Sequence, residues 1–266
     1  LLVDKSLLFP VDGVGSDPRF RMLATIREFA WEQLERTSET AVLRRRHADY
    51  FTTLAETAEP HLKSAVRRER LLHLEQEHNN LRAALEWSLS ADGDTSLGMR
   101  LAGALAWFFY LRGYVSEGRD WMERTLARSD SAERTFDRAK VLFGAGAAAW
   151  IQADLAVANV RLEESLAILR EVDEQRWIAY ALTVTALTAT SGGNLASALA
   201  LYTESLAIAR EVGDHWWEAF TLQSMGDATL LSGDYVAARS TYEASLAVYE
   251  QIGDQWGRSL PLNALG

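Results

Sequence analysis

Gly233-Asp234-Tyr235-Val236-Ala237-Ala238-Arg239-Ser240-Thr241-Tyr242-Glu243-Ala244-Ser245-Leu246-Ala247 is the stretch on which the fold turns. Its closing Leu246-Ala247 recurs at Leu126-Ala127, Leu166-Ala167 and Leu206-Ala207, 40 residues apart each time. The same step links Gly113, Ala153, Gly193 and Gly233, then Gly118, Ala158, Ala198 and Ala238, then Met122, Leu162, Tyr202 and Tyr242. Small residues return where small ones stood, and large ones where large ones stood. A fixed period of this length marks stacked supersecondary units.

Each unit holds two segments. Leu142, Leu182, Leu222 and Leu262 belong to the other one, as do Ala106, Gly146, Ala186, Gly226 and Gly266. Apolar residues fall at helical spacing, as in Leu155, Ala158, Leu162, Leu166 and Leu169, with Glu163, Glu164 and Arg170 between them. Breaks such as Ser232-Gly233-Asp234 and Gly213-Asp214 place glycine past a helix end and aspartate at the next start. The spacing predicts helices near 97–112, 115–129, 136–151, 155–172, 176–191, 195–212, 215–231 and 235–252. Trp256 to Gly266 begins a further unit, with Pro261 delaying or kinking its helix.

Leu222, Gly226, Gly233, Tyr235, Ala238, Tyr242, Ser245 and Leu246 resemble the small-and-large pattern of the tetratricopeptide repeat. The unit is longer than the usual ~34 residues and is similar to the repeats of large bacterial ATP-dependent regulators. The N-terminal words extend the resemblance. Leu2-Val3-Asp4-Lys5-Ser6-Leu7-Leu8 and Arg19-Phe20-Arg21-Met22-Leu23-Ala24-Thr25-Ile26-Arg27-Glu28-Phe29-Ala30 resemble the end of the winged-helix segment in STAND-class (LuxR/maltose-regulator-like) bacterial signalling ATPases. Arg44-Arg45-Arg46-His47-Ala48-Asp49-Tyr50-Phe51 and Leu74-Glu75-Gln76-Glu77-His78-Asn79-Asn80-Leu81-Arg82-Ala83-Ala84-Leu85 resemble the helical connector that follows it.

The expected architecture is therefore all-α. A winged-helix remnant occupies 1–38, with a small hairpin of Leu7-Leu8-Phe9 against Phe20-Arg21-Met22-Leu23 around a loop from Pro10 to Pro18. Thr25 and Glu28 offer a capping box for the next helix. A connector spans 39–95 with helices over Glu39 to Glu59 and Ser64 to Leu89, separated by Pro60. A tetratricopeptide-repeat (helix-turn-helix) solenoid, right-handed as the resemblance implies, fills 96–266. The chain opens at Leu1 without methionine and stops at Gly266 inside an unfinished repeat, which reads as a piece of a longer protein.

With 48% hydrophobic residues the chain can bury a sizeable core, and a solenoid spreads it along an axis. Absent cysteine excludes disulfides and thiolate metal sites and fits a reducing cytoplasm. The longest apolar runs, Leu101 to Leu111 and Val141 to Ile151, are 11 residues each, short of the ~20 that span a bilayer. Of the net charge of −10, residues 141–266 contribute 6 Lys+Arg against 15 Asp+Glu, so the array is a poor nucleic-acid binder. Arg44-Arg45-Arg46 and Arg67-Arg68 are basic enough for phosphate contacts, but such runs are more commonly solvated or paired with nearby glutamates.

Catalytic signals are weak. Gly13-Val14-Gly15 lacks the remaining residues of a phosphate loop, and Gly144-Ala145-Gly146 lies within a repeat helix. His73 and His78 stand five apart, about 140° around a helix, which is wrong for shared metal ligation. No Gly-x-Ser-x-Gly elbow is present, and Glu163 and Glu164 point in different directions. The expectation is no enzyme, no catalytic residue, no metal and no cofactor in these residues, with ATP or ADP held only by an upstream domain of the parent.

In the resembled fold the first helix of each pair lines a groove. Carried over by position, that groove holds Arg100, Trp107 and Tyr110, then Lys140, Phe143 and Trp150, then Tyr180, Thr183 and Leu187, then Phe220, Gln223 and Asp227. Aromatics with few charges suit a peptide or an apolar small molecule, although the same rings could simply fill the space between helices. Trp177, Trp216, Trp217 and Trp256 sit near the unit boundaries and are assigned to stapling one repeat onto the next. The resemblance implies a sensor arm that takes a protein, peptide or small-molecule inducer and contacts its own nucleotide-binding domain. It implies no membrane and no direct nucleic-acid contact by the array. A plain interaction scaffold is the alternative, and the open C-terminal repeat predicts self-association.

Overall fold

The computed structural model describes residues 2–11, 19–37, 39–63, 67–130 and 132–265. At the N-terminal end β1 (Phe9–Val11) and β2 (Arg19–Arg21) pair antiparallel, with Pro10 opposite Phe20. Pro10 thus belongs to a strand, which a two-stranded edge tolerates. The expected loop beyond Val11, with Gly13-Val14-Gly15, lies outside the described residues. Helix α1 (Ala24–Glu35) follows and buries none of its residues. The capping box is not formed: Leu23, extended at ψ 143°, is the residue that starts the helix, which puts Thr25 inside the first turn.

The connector contains α2 (Thr40–Ala58), a 3-10 turn (Glu59–Lys63), α3 (Arg67–Gln76) and α4 (His78–Ser88). The expected second helix is divided at Glu77, whose ψ of 5° lies outside the helical range. Arg19 clamps the hairpin onto this break, donating to the Gln76 carbonyl at 2.6 Å and pairing with Glu77 at 3.1 Å.

The array follows as α5 (Thr95–Ala104), α6 (Ala106–Leu111), α7 (Val115–Arg128), α8 (Phe136–Ile151), α9 (Leu155–Glu171), α10 (Gln175–Ser191), α11 (Leu195–Glu211), α12 (His215–Leu231), α13 (Tyr235–Gln251) and α14 (Gln255–Leu265). The expected helix over 97–112 is two helices meeting at Leu105. Hydrogen bonds from Leu105 to Leu101 and from Phe109 to Leu105, both 3.0 Å, carry the ladder across that junction. α14 begins on schedule, with Pro261 accommodated inside it.

The period is built into backbone geometry. Gly113, Ala153, Gly193 and Gly233 all have positive φ after the first helix of a pair, and Asp173, Gly213 and Gly253 have it after the second. That left-handed residue lets the chain reverse. Asp154, Asn194 and Asp234 then cap the second helices, accepting from the amides of Val157, Ser197 and Ala237.

Within each pair the helices are pinned by one repeated bond. Ser165, Ser205 and Ser245, all fully buried, donate at 2.8 Å to the carbonyls of Ala139, Ala179 and Ala219. Buried hydroxyls are affordable because each has this partner. Close approach also needs small residues: a Cβ on Gly226 would lie 2.5 Å from the Tyr242 ring, and one on Gly146 would lie 2.7 Å from Leu162.

Consecutive first helices, α6, α8, α10, α12 and α14, touch one another in turn. Consecutive second helices α7, α9, α11 and α13 are not packed side by side in this way. The first helices therefore form the shorter, inner side of a curved stack.

Candidate functional site on the inner face

The inner face carries two kinds of surface. The first is an apolar cleft lined by Trp107, Tyr110, Phe143, Trp150, Leu187 and Phe220, with free space of about 50 Å³. Small-molecule sites usually offer ~300–1,000 Å³, so this cleft has room for about one side chain. Trp150 closes its edge, donating from Nε1 to Ser191 Oγ at 3.0 Å.

The second surface is polar and holds a segment of the same chain. Lys140, buried on α8, meets Glu59 of the 3-10 turn at 2.5 Å. One repeat further, the Lys63 ammonium lies over the rings of Tyr180 (3.6 Å to the centroid), Trp107 (5.3 Å) and Trp217 (5.6 Å). Another repeat further, Arg67 donates to both carboxylate oxygens of Asp254 at 3.0 and 3.1 Å. Its guanidinium also stands 4.8 Å from the centre of the Trp256 ring.

Two open clefts flank Lys63. One of about 310 Å³ runs between Glu59, Lys140, Tyr180 and Asp214, and another of about 550 Å³ runs between Arg67, Asp254 and Trp256. Trp216 borders both.

The carboxylates at this site have two tasks. Asp214 caps α12 through the Trp217 amide while accepting the Tyr180 hydroxyl at 2.5 Å. Asp254 caps α14 through the Gly257 amide while accepting Trp216 Nε1 at 2.7 Å together with Arg67. A helix N-terminus is a favourable place for a carboxylate.

Burial pushes Lys63 down to about 7, opposed by Asp214 and Glu59. The surrounding ring faces also favour its charged form. Burial raises Glu59 above the usual carboxylate range, and Lys140 opposes that shift. Tyr180 is pushed up by burial and by the Asp214 carboxylate that its hydroxyl meets.

Of the residues expected in the groove, Trp107, Tyr110, Phe143, Trp150, Leu187 and Phe220 come together in the apolar cleft, and Trp107, Lys140 and Tyr180 at the polar trough. Four lie elsewhere. Arg100 donates two hydrogen bonds to the Glu56 carboxylate at 2.8 and 2.7 Å. Thr183 is fully buried between helices, meeting Ser205 at 2.7 Å and Thr221 at 3.0 Å and accepting Trp217 Nε1 at 3.0 Å. Gln223 bonds Asp227 at 3.2 Å, and Asp227 accepts the Tyr242 hydroxyl at 2.7 Å, a contact within the last helix pair.

Sequence reasoning missed Glu59, Lys63, Arg67, Asp214 and Asp254 as members of the trough. It also gave Trp177, Trp216 and Trp217 only a stapling role, whereas Trp177 and Trp216 line the open cleft beside Lys63 and Trp217 lines the apolar cleft, its ring centre 5.6 Å from the Lys63 ammonium. The recurrence of Asp214-His215-Trp216 as Asp254-Gln255-Trp256 was a readable signal. So was the four-residue spacing of Glu59, Lys63 and Arg67.

Arg67 of the basic pair is committed to Asp254, and Arg44 and Arg45 pair with Glu35 and Asp94. His78 faces Glu117 at 3.0 Å and packs on Tyr114 with ring centres 4.6 Å apart. Among the described residues no cluster of three His, Cys, Asp or Glu could hold a metal, and no helix is long and apolar enough to cross a membrane.

Comparison with known proteins agrees with this geometry. Residues 178–251 match the tetratricopeptide repeat family. Provisionally named HTH-type transcriptional regulators of Mycobacterium bovis and Mycobacterium tuberculosis are 32% identical over 205 residues, covering 74% of this chain. The chain spans about a quarter of their length, 23%.

Among solved structures, a Rap protein complexed with Competence and Sporulation Factor aligns over 91% of this chain and 63% of its own, with TM-score 0.63 and 14% identity. A STAND protein with a tetratricopeptide repeat sensor from Pyrococcus horikoshii aligns over 99% of this chain and 41% of its own, with TM-score 0.50 and 16% identity. At these identities the likeness is one of fold. The array is a tetratricopeptide-type solenoid.

Proposed function

We propose that this chain is the non-catalytic sensor arm of an ATP-dependent, STAND-type transcriptional regulator working in the cytoplasm. An inducer binds the inner face of the array and thereby controls an upstream nucleotide-binding core, to which the hairpin and α1 belong as a winged-helix remnant. ATP or ADP is bound by that core. The observation that carries the reading is the contact between connector and array: the segment leading toward the core occupies the surface that an inducer would need. Such a contact supplies two states, docked and released, that a ligand can distinguish.

The energetics set a condition. A ligand that prefers the released form by about 5.5 kcal/mol moves the balance from 1:99 to 99:1, and one that binds both forms equally moves nothing. The test is ATP hydrolysis by the longer parent with and without the array, and with saturating inducer. Faster turnover on deletion supports the sensor; unchanged turnover leaves a scaffold that joins proteins without switching.

A further inference from the structure

Positions 59, 63 and 67 step by four along the connector, while their partners step by one repeat along the array. Glu59 meets Lys140, Lys63 meets Tyr180, the residue one unit on from Lys140, and Arg67 meets Asp254, one unit on from Asp214, whose carboxylate acts on Lys63. The geometry of Glu59–Lys63 explains the first of these steps. A 3-10 turn rises about 2.0 Å per residue, so four residues advance roughly 8 Å, close to the ~8–10 Å between packed helices. An α-helix would advance only about 6 Å and lose register.

We propose, building on the sensor reading, that Lys63 and Arg67 are an internal stand-in for a cationic peptide. The inner trough takes in trans a short peptide with two basic residues four apart, which displaces the connector. The ring cage receives the first basic side chain and the Asp254–Trp256 pair the second. The charge agrees, since residues 141–266 carry 15 acidic residues against 6 basic. Open space on both sides of Lys63 leaves room for the flanks of such a peptide. The small free volume of the apolar cleft argues against a bulky apolar inducer as the occupant.

The test titrates the intact chain with a fluorescein-labelled peptide reproducing residues 58–70, read by anisotropy. The control peptide has the same composition with the two basic residues placed two apart. A tethered occupant acts at an effective concentration of about 1 mM, so against a peptide of ~10 μM intrinsic affinity it weakens apparent binding about 100-fold. The double variant Lys63→Ala/Arg67→Ala is therefore expected to bind the peptide about 100-fold more tightly than wild type, and to discriminate against the control. Equal affinity in wild type and variant, or equal binding of the two peptides, overturns the proposal.

Should the variant fail to fold, hydrogen exchange on the wild type decides. Saturating peptide is expected to deprotect Leu62 and the α3 amides, and unchanged protection overturns the idea. The two readings fail separately. An inducer of other chemistry that stimulates ATP turnover while the basic peptide leaves the connector docked refutes this proposal and spares the sensor. Displacement by the peptide without any change in turnover refutes the sensor and spares the docking.

Discussion

Replacing Thr183 by valine separates packing from binding at a position that the repeat resemblance assigns to the groove. The side chain keeps its shape and loses one oxygen, and with it three hydrogen bonds, to Ser205, Thr221 and Trp217. The cost is less than three full bonds, because two of the neighbours have another partner. Ser205 still donates to the Ala179 carbonyl at 2.8 Å, and Trp217 Nε1 still reaches that carbonyl at 3.2 Å. Thr221 is fully buried, and among the described residues its hydroxyl bonds to Thr183 alone.

An orphaned buried hydroxyl costs about 1–3 kcal/mol, and the weakened neighbours add a few tenths, so the expected loss is about 2–3 kcal/mol. At ~2–4 °C per kcal/mol for a chain of this size, Tm falls by roughly 5–10 °C. Circular dichroism melts measure this, with hydrogen exchange expected to localise the loss to α10, α11 and α12. Affinity for any inner-face ligand, measured below the transition, stays within about twofold, and Thr183→Ser recovers most of the stability. A folded Thr183→Val protein with unchanged Tm, or one with normal stability and lost binding, would refute the assignment of Thr183 to packing.

Three further outcomes follow from the same geometry. Ala153 holds φ at +59° where the other units place glycine, so Ala153→Gly relieves about 0.5–1 kcal/mol of strain and is expected to raise Tm by 1–4 °C in a scanning melt. Gly226→Ala puts a Cβ against the Tyr242 ring, whose hydroxyl is tethered to Asp227, and is expected to destabilise by about 1–3 kcal/mol in urea titration. The docked connector should tighten as pH rises. Lys63 titrates at about 7 when docked and at 10.5 when free, so between these values the released state binds more protons and raising the pH favours docking. Exchange protection of Leu62, corrected for intrinsic rates, should increase from pH 6 to 8.5, and Lys63→Met should flatten that dependence.

The boundaries of α8 to α13 were legible within a residue because their cues are local: periodic leucines, a left-handed residue and an acidic or amide cap, each repeated every 40 residues. The N-terminal parts were less so. The Thr25–Glu28 pattern is present in the sequence, yet backbone extension at Leu23 selects a different start.

At the site, the rings Trp107, Phe143 and Phe220, which occupy different positions of the repeat, could be placed by counting along each first helix. Counting could not tell that Thr183 points between helices, because a polar side chain at a helical position reads alike in solvent and in a satisfied interior.

Stacked paired helices, their period and the acidity of the array follow from the amino-acid order alone, since each depends on neighbours within one or two units. Occupation of the inner face by the connector was decided only in three dimensions. Glu59 and Lys140 are 81 residues apart, and Arg67 and Asp254 are 187 apart. Nothing in the local pattern of either partner encodes the other. Their meeting depends on the curvature that summed packing gives the stack and on where the 3-10 turn leaves the chain relative to it.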